Sequence, residues 1–141
     1  SMLTEATATL VLDPSYFGLS TNLIISKDQG YNLKYILAII NSRFAISWFY
    51  KHGKKRGAGI DIGVDKLRSF PIKKADGNNQ KQFVELVDKI MHIARNNDYL
   101  INETEQAKVK EYERQIDQMV YELYGLTKEE IAIVEQAGAK R

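Results

Sequence analysis

The sequence predicts an α+β fold, in which a small mixed β-sheet part with a buried helix precedes an antiparallel helical hairpin and a short third helix. Three observations favour this fold. Two short segments, 6–12 and 21–26, are rich in β-branched residues. A long apolar segment, 33–50, follows them, and two amphipathic patterns of helical period come after a polar linker. We therefore expect an α/β part over 1–75 and a helical part over 76–141, packed as one compact unit.

The β-sheet is expected to take three strands from the first half of the chain. Turn-forming residues separate the segments 6–12 and 21–26, as is typical of strands. Segment 58–64 alternates Ile60, Ile62 and Val64 with small or polar residues, which indicates a third short strand. Asp65 can then cap one helical turn over 66–69. This turn should end before Pro71, because the residue that precedes a proline is pushed out of helical space.

The apolar segment 33–50 is expected to form one buried helix. Apolar residues occupy nearly every face of this segment, as is typical of a helix inside a domain. Asn41, Ser42 and Arg43 interrupt the run, so it falls short of the roughly 20 apolar residues that a membrane-spanning helix needs. The segment therefore predicts a core element and no membrane contact.

Two amphipathic helices are predicted in the second half of the chain. The linker 75–80 should lead into a helix over 81–100, with Asn78 or Asn79 as its cap. A second apolar stripe runs over 106–124, and the short polar connection between the two makes them antiparallel neighbours. They therefore form a helical hairpin.

The end of the second helix carries the most specific local signal. Gly125 is placed where a helix ends in a left-handed conformation, which glycine adopts at little cost. Thr127 and Glu130 have the spacing of a capping box that opens another helix. A third helix over 128–136 is therefore expected to fold its apolar residues, including Val134, onto the hairpin.

The formal net charge of +2 hides an asymmetry along the chain. Residues 31–74 carry ten Lys or Arg and two Asp, which gives +8, while segments 1–30 and 75–141 carry −2 and −4. Such a concentration of positive charge favours binding to a polyanion. The middle third is therefore the candidate surface for nucleic acid.

A basic, glycine-rich stretch follows the apolar segment and is expected to form a loop. Glycine lets the backbone approach a groove or a phosphate closely, and cations neutralise phosphates and release counterions. The alternative is a solvated surface loop, but a second basic set downstream favours binding. The candidate DNA-binding residues are Lys51, His52, Lys54, Lys55, Arg56, Lys66, Arg68, Lys73 and Lys74.

Metal-binding and catalytic sites have weaker support. The chain has no cysteine, which excludes a thiolate metal site or thiol nucleophile and fits a cytoplasmic protein. His52 and His92 have no Glu or His at ligand spacing, so no metal site is predicted. Asp61 and Asp65, with Lys66, are only faintly similar to the carboxylate–lysine sets of metal-dependent nucleases, and turn and cap roles are expected for them.

Four segments resemble a known family. Segments 35–51 (YILAIINSRFAISWFYK) and 65–72 (DKLRSFPI) are similar to a pattern of target recognition domains in restriction–modification proteins. Segments 82–91 (QFVELVDKIM) and 115–135 (QIDQMVYELYGLTKEEIAIVE) resemble the end of TaqI-like C-terminal specificity domains. Those domains terminate adenine-specific DNA methyltransferases and Type IIG restriction–modification enzymes.

The resemblance implies a target recognition domain-like fold that reads a sequence in double-stranded DNA. A DNA (adenine-N6) methyltransferase domain would lie upstream in the same parent chain and would hold S-adenosylmethionine and any Mg²⁺. The Asn/Asp-Pro-Pro-Tyr/Phe motif of that domain is absent here, since Pro14 and Pro71 each lack a proline neighbour. This chain is therefore expected to have no cofactor, no catalytic residue and no enzymatic activity by itself.

Three alternatives to this interpretation are open at the level of sequence. The chain could be a fragment of a Type I specificity subunit, in which helical spacers join two recognition domains. It could be a protein-interaction module, whose helical hairpin binds a partner while the basic stretch is merely solvated. It could also be a free-standing nuclease that uses Asp61 and Asp65.

Overall fold

The computed structural model describes residues 8–10, 24–25, 27, 30–56 and 59–139, and this part of the chain is mostly helical. A single two-stranded antiparallel sheet accompanies the helices in the described residues. The elements are α1 (Leu33–Ile40), α2 (Arg43–His52), β1 (Lys54–Arg56), β2 (Gly59–Asp61), α3 (Val64–Ser69), α4 (Gly77–Ala94), α5 (Glu103–Tyr124) and α6 (Lys128–Ala139), with a 3-10 turn at Tyr99–Ile101 between α4 and α5.

The predicted α+β class holds in the coarse sense of helices with a small sheet. The two predicted N-terminal strands do not contribute to that sheet where the structure describes them, because residues 8–10 and 24–25 have no regular secondary structure. The rest of both segments lies outside the described residues. The third predicted strand is confirmed in part, as β2.

The apolar segment forms two helices, so the prediction of one helix over 33–50 is wrong. Ser42 separates them: its hydroxyl donates to the carbonyl oxygen of Ile39 at 2.6 Å and accepts from the backbone N–H of Ala45 at 3.2 Å. A serine side chain that bonds nearby backbone groups competes with the helix and caps the next one. None of the described helices is long and apolar enough to cross a membrane.

The hydrophobic core lies where α1 packs against α4 and α5. Tyr35 of α1 meets Phe83 of α4 edge to face, with ring centroids 5.3 Å apart. Helix α2 adds Ala45 and Phe49 to the same cluster. The fully or nearly buried members are Tyr35, Ala38, Ile39, Ala45, Phe49, Phe70, Ala75, Phe83, Leu86, Val87, Ile116 and Val120.

The predicted linker 75–80 is the start of α4. Asp76 caps the helix by accepting from the backbone N–H of Asn79 at 2.8 Å, so neither expected asparagine is the cap. The buried amide of Gln80 donates to the carbonyl oxygens of Gly30 and Ala75 at 2.8 and 2.9 Å. It also accepts from the N–H of Asn32 at 3.0 Å. This segment therefore joins the start of α1 to α4, since a buried polar group needs such partners.

The hairpin of α4 and α5 and the motif that ends it are confirmed. Gly125 has a φ of 66°, and the N–H groups of Gly125 and Leu126 donate to Glu122 and Tyr121. The capping box forms in both directions, with distances of 2.8 and 3.2 Å between Thr127 and Glu130. Helix α6 differs from its prediction because it packs mainly against α2.

Candidate nucleic-acid interface

The basic stretch is not the predicted loop but the end of a helix followed by a strand. Lys51 and His52 lie in the last turn of α2, where the positive charge of Lys51 complements the helix dipole. The next three cations make up β1, which pairs with β2 in the register Lys54↔Asp61, Lys55↔Ile60 and Arg56↔Gly59. The turn at 57–58 lies outside the described residues. The expected loop therefore becomes a β-hairpin with one basic strand.

The hairpin is attached to the core on one side. Ile60 of β2 and Ile62 beyond it pack against the core cluster. At Gly53, between α2 and β1, the backbone passes close to two carbonyl groups. A Cβ atom there would lie 2.7 Å from the carbonyl oxygen of Phe49 and 3.3 Å from that of Asp61. Only glycine fits this approach. The basic strand is therefore held in a defined position beside the end of α2.

The antiparallel register brings the second basic set close to the first. Because Lys54 and Asp61 are partners, the end of α2 and the start of α3 lie at the same open end of the hairpin. Lys66 and Arg68 of α3 are exposed.

Helix α3 ends before Pro71 as predicted, but its N-cap is Gly63 without a side-chain bond, and Asp65 lies within the first turn.

The described ion pairs do not include the exposed cations of this region, of which Lys54 has Asp61 as its cross-strand partner. The ion pairs among the described side chains join Lys34 to Asp88, Arg43 to Asp117 and Arg114 to Glu111. No described ion pair involves the exposed residues Lys51, Lys54, Lys55, Lys66 and Arg68.

His52 is held by Trp48, one helical turn earlier in α2. The two rings stack with centroids 4.1 Å apart and planes 22° apart, and Nδ1 of His52 donates to the carbonyl oxygen of Trp48 at 2.8 Å. The indole in turn meets Phe49 and Phe70 edge to face at 5.5 and 5.3 Å. Trp48 was not among the candidate residues, although its spacing of four from His52 is a signal for such a contact.

Lys73 has a structural contact that its sequence position did not indicate. Its Nζ donates to the carbonyl oxygen of Leu123 at 2.7 Å, and its backbone N–H donates to the hydroxyl of Tyr124 at 3.0 Å. That hydroxyl donates to the carbonyl oxygen of Pro71 at 2.6 Å. The charge of Lys73 thus lies at the C-terminal end of α5, where the helix dipole favours a cation. The ammonium group of Lys73 therefore has a structural contact in the fold, and its role in DNA binding stays a prediction.

Lys74 is exposed beside a cleft of about 770 Å³ between the starts of α1 and α4. Tyr31, Gln80 and Lys81 also line this cleft. Both N–H groups of the Gln80 amide donate to backbone carbonyl oxygens, and its oxygen accepts from the N–H of Asn32. The cleft thus lies where the starts of α1 and α4 are joined by hydrogen bonds. Lys74 lies between α3 and α4 in the chain and is not part of the β-hairpin.

The described residues contain no group of three or more His, Asp or Glu side chains that could hold a metal ion. Asp61 lies on β2 opposite Lys54, and Asp65 lies in the first turn of α3. The expectations that this chain has no cofactor and no catalytic residue stay predictions.

Comparisons of the chain with protein-family models, curated proteins and solved structures found no match. The resemblance to TaqI-like specificity domains therefore stays a prediction from the sequence. The function is inferred from the chemistry of the chain's own residues.

Proposed function

We propose that this chain binds double-stranded DNA and reads its sequence, as the C-terminal specificity domain of a restriction–modification DNA (adenine-N6) methyltransferase or Type IIG enzyme. The observation that carries this proposal is the basic hairpin, in which the exposed cations Lys51, Lys54 and Lys55 extend from the last turn of α2 into β1. The resemblance of the surrounding segments supplies the biological context.

The shape of the basic hairpin supports contact with a groove. A two-stranded antiparallel ribbon is narrow enough to enter the major groove of B-DNA, where base edges are distinguishable. Lys51, Lys54 and Lys55 would neutralise phosphates and set the position of the ribbon, as cations do in most protein–DNA interfaces. Lys66 and Arg68 at the open end of the hairpin would extend this contact along the backbone.

The distribution of acidic residues supports the same orientation. Segment 75–141 carries a charge of −4 and forms α4, α5 and α6. Like charge repels phosphates, so the hairpin side of the domain would face the DNA. The helical part would act as a scaffold and as a contact with the upstream methyltransferase domain.

The proposal is tested by changing Lys54, Lys55 and Arg56 together to Ala. The triple variant should bind a 20-bp duplex more weakly at low salt, and the salt dependence of log K should lose about one unit of slope for each phosphate contact removed. Fluorescence anisotropy at several salt concentrations measures both quantities. The matched control changes three exposed cations of the helical part, Lys108, Lys110 and Lys128. Equal losses in both variants, or none in the first, would refute the assignment of the hairpin.

A second candidate function is protein binding by the helical hairpin. Leu100 and Ile101 at its tip are adjacent apolar side chains, each 85% exposed, and exposed apolar patches can mark protein-binding surfaces. Under this alternative the chain would have no affinity for duplex DNA at low salt and would elute with a protein partner in size-exclusion chromatography. Changing Leu100 and Ile101 to Ser would then abolish the complex, whereas the DNA-binding proposal predicts that duplex affinity is unchanged.

A further inference from the structure

The imidazole of His52 is held in one orientation by the stacking on Trp48 and by the bond from Nδ1 to the Trp48 carbonyl oxygen. A carbonyl oxygen only accepts hydrogen bonds, so Nδ1 carries the proton in this contact. In a neutral imidazole one nitrogen donates and the other accepts. When the ring is neutral, Nε2 of His52 is therefore a hydrogen-bond acceptor.

This acceptor is available at the proposed interface. His52 is exposed, and Nε2 forms no hydrogen bond with the described residues. The ring is the last residue of α2 before Gly53 and the basic strand. Trp48 itself packs edge to face on both Phe49 and Phe70, so the ring that His52 stacks on is held by further contacts. An oriented acceptor thus lies next to side chains that are otherwise donors.

We propose that His52 determines specificity by accepting a hydrogen bond from the exocyclic amino group of an adenine or a cytosine in the major groove. This inference rests on the proposed function, and it names the class of base that the hairpin side of the domain reads.

The chemistry of the groove supports a base over a phosphate. Phosphate oxygens only accept hydrogen bonds, so they cannot pair with the acceptor Nε2, whereas the neighbouring lysines can bind them. In the major groove, adenine N6 and cytosine N4 are donors, while guanine and thymine present acceptors at the equivalent positions. His52 would therefore favour A or C over G or T at one position of one strand.

The first test examines the tautomer without DNA. Nitrogen NMR of the ¹⁵N-labelled chain at pH 8, above the usual range of histidine titration, distinguishes a protonated Nδ1 from a protonated Nε2. The chain has two histidines, and exposed His92 on α4 is the internal reference. We expect the proton of His52 on Nδ1. A dominant Nε2–H form would overturn the inference, whatever the chain binds.

The second test selects duplexes from a pool with randomised central base pairs, at pH 8 and low salt. The bound pool should show a preference of about fivefold or more for A or C at one position of one strand, in line with the energy of one base contact. His52→Phe keeps an aromatic ring that can stack on Trp48 but removes Nε2. It should lose that preference and keep the preferences at other positions.

The control for the selection is Lys51→Ala, which should weaken binding to all sequences and keep the A or C preference. If His52→Phe keeps the preference while the pool is bound, His52 is not the reading residue, although the proposed function stands. If the wild-type chain binds no duplex at low salt, the proposed function fails, and the inference fails with it.

Discussion

Two buried tyrosines show how hydrogen bonding decides whether a buried hydroxyl stabilises or destabilises the fold. Tyr35 is fully buried, and its hydroxyl donates to the carbonyl oxygen of Lys73 at 2.6 Å. Tyr121 is 2% exposed, but its hydroxyl has no hydrogen-bond partner among the described residues. A buried polar group without a partner loses its hydration without compensation. The same chemical group therefore stabilises the chain at one position and destabilises it at the other.

We predict that Tyr121→Phe raises the free energy of unfolding by about 1 kcal/mol, because it removes an unpaired buried hydroxyl. Tyr35→Phe is the matched change, and it should lower the free energy of unfolding by about 1 kcal/mol, since the Lys73 carbonyl loses its donor. Urea unfolding of both variants measures these values. A loss of stability in Tyr121→Phe would mean that the hydroxyl has a partner.

The same two residues predict how stability responds to alkaline pH. Burial, more than neighbouring charges, raises the pKa of Tyr35 and the pKa of Tyr121 to about 12 from the usual 10. The folded chain therefore holds these protons more tightly than the unfolded chain. Stability from this difference is complete below pH 10 and is lost as pH rises toward 12. Urea unfolding between pH 9 and pH 11 should show this decline, and a double Phe variant at both positions should show a shallower one.

Helix boundaries in this chain are produced by short local motifs. Ser42 ends α1 and begins α2, Asp76 begins α4, and Gly125 ends α5. Each motif satisfies backbone groups that a helix end leaves unpaired. The break at Ser42 makes α2, which leads into the basic hairpin, a helix separate from α1.

The left-handed turn at Gly125 gives a prediction at this level. Gly125→Ala should cost about 1–2 kcal/mol of stability, because an alanine at a φ of 66° brings Cβ close to the backbone. The control is Gly77→Ala: Gly77 lies in the first turn of α4 without a positive φ, and no atom lies within 4 Å of the added Cβ. That change should be neutral or stabilising by about 0.5 kcal/mol. Equal effects of the two changes in thermal unfolding would contradict the account of α5.

One core joins the predicted α/β part, residues 1–75, to the predicted helical part, residues 76–141. Tyr35 and Ile39 of α1, Phe83 of α4 and Val120 of α5 belong to one buried cluster. Gln80 and Lys73 add hydrogen bonds between the same parts. The hairpin that carries the basic residues therefore shares its core with the helices that carry the acidic ones.

We predict that the chain unfolds in one cooperative transition. Trp48 is the one tryptophan of the chain and lies in α2, so its fluorescence reports on the first half, whereas far-UV circular dichroism reports mainly on the long helices α4 and α5. The two urea curves should coincide. Phe83→Ala should shift both curves together and cost about 3–5 kcal/mol. Separate midpoints would indicate two independent domains.

The local features at the end of the hairpin were open to prediction because their causes lie within a few residues, whereas the break at Ser42 and the cap at Asp76 are equally local and were missed. The capping box at Thr127 and Glu130, the glycine at 125 and the periodic apolar stripes need no distant partner. The position of the basic residues was also evident from charge alone. Their secondary structure was not, since glycines and cations suit both a loop and a strand whose Ile60 reaches the core.

The sequence by itself thus determined the helical hairpin, the glycine that ends it, the capping box that opens α6 and the concentration of cations in 31–74. Only the tertiary structure decided which of these elements contact one another. It engaged Lys73 with α5, used Gln80 to join α1 to α4, and packed α6 on α2. The reason is physical: the Lys73 and Gln80 bonds join groups about 50 residues apart. Such contacts follow from which buried faces meet, and local pattern does not encode that.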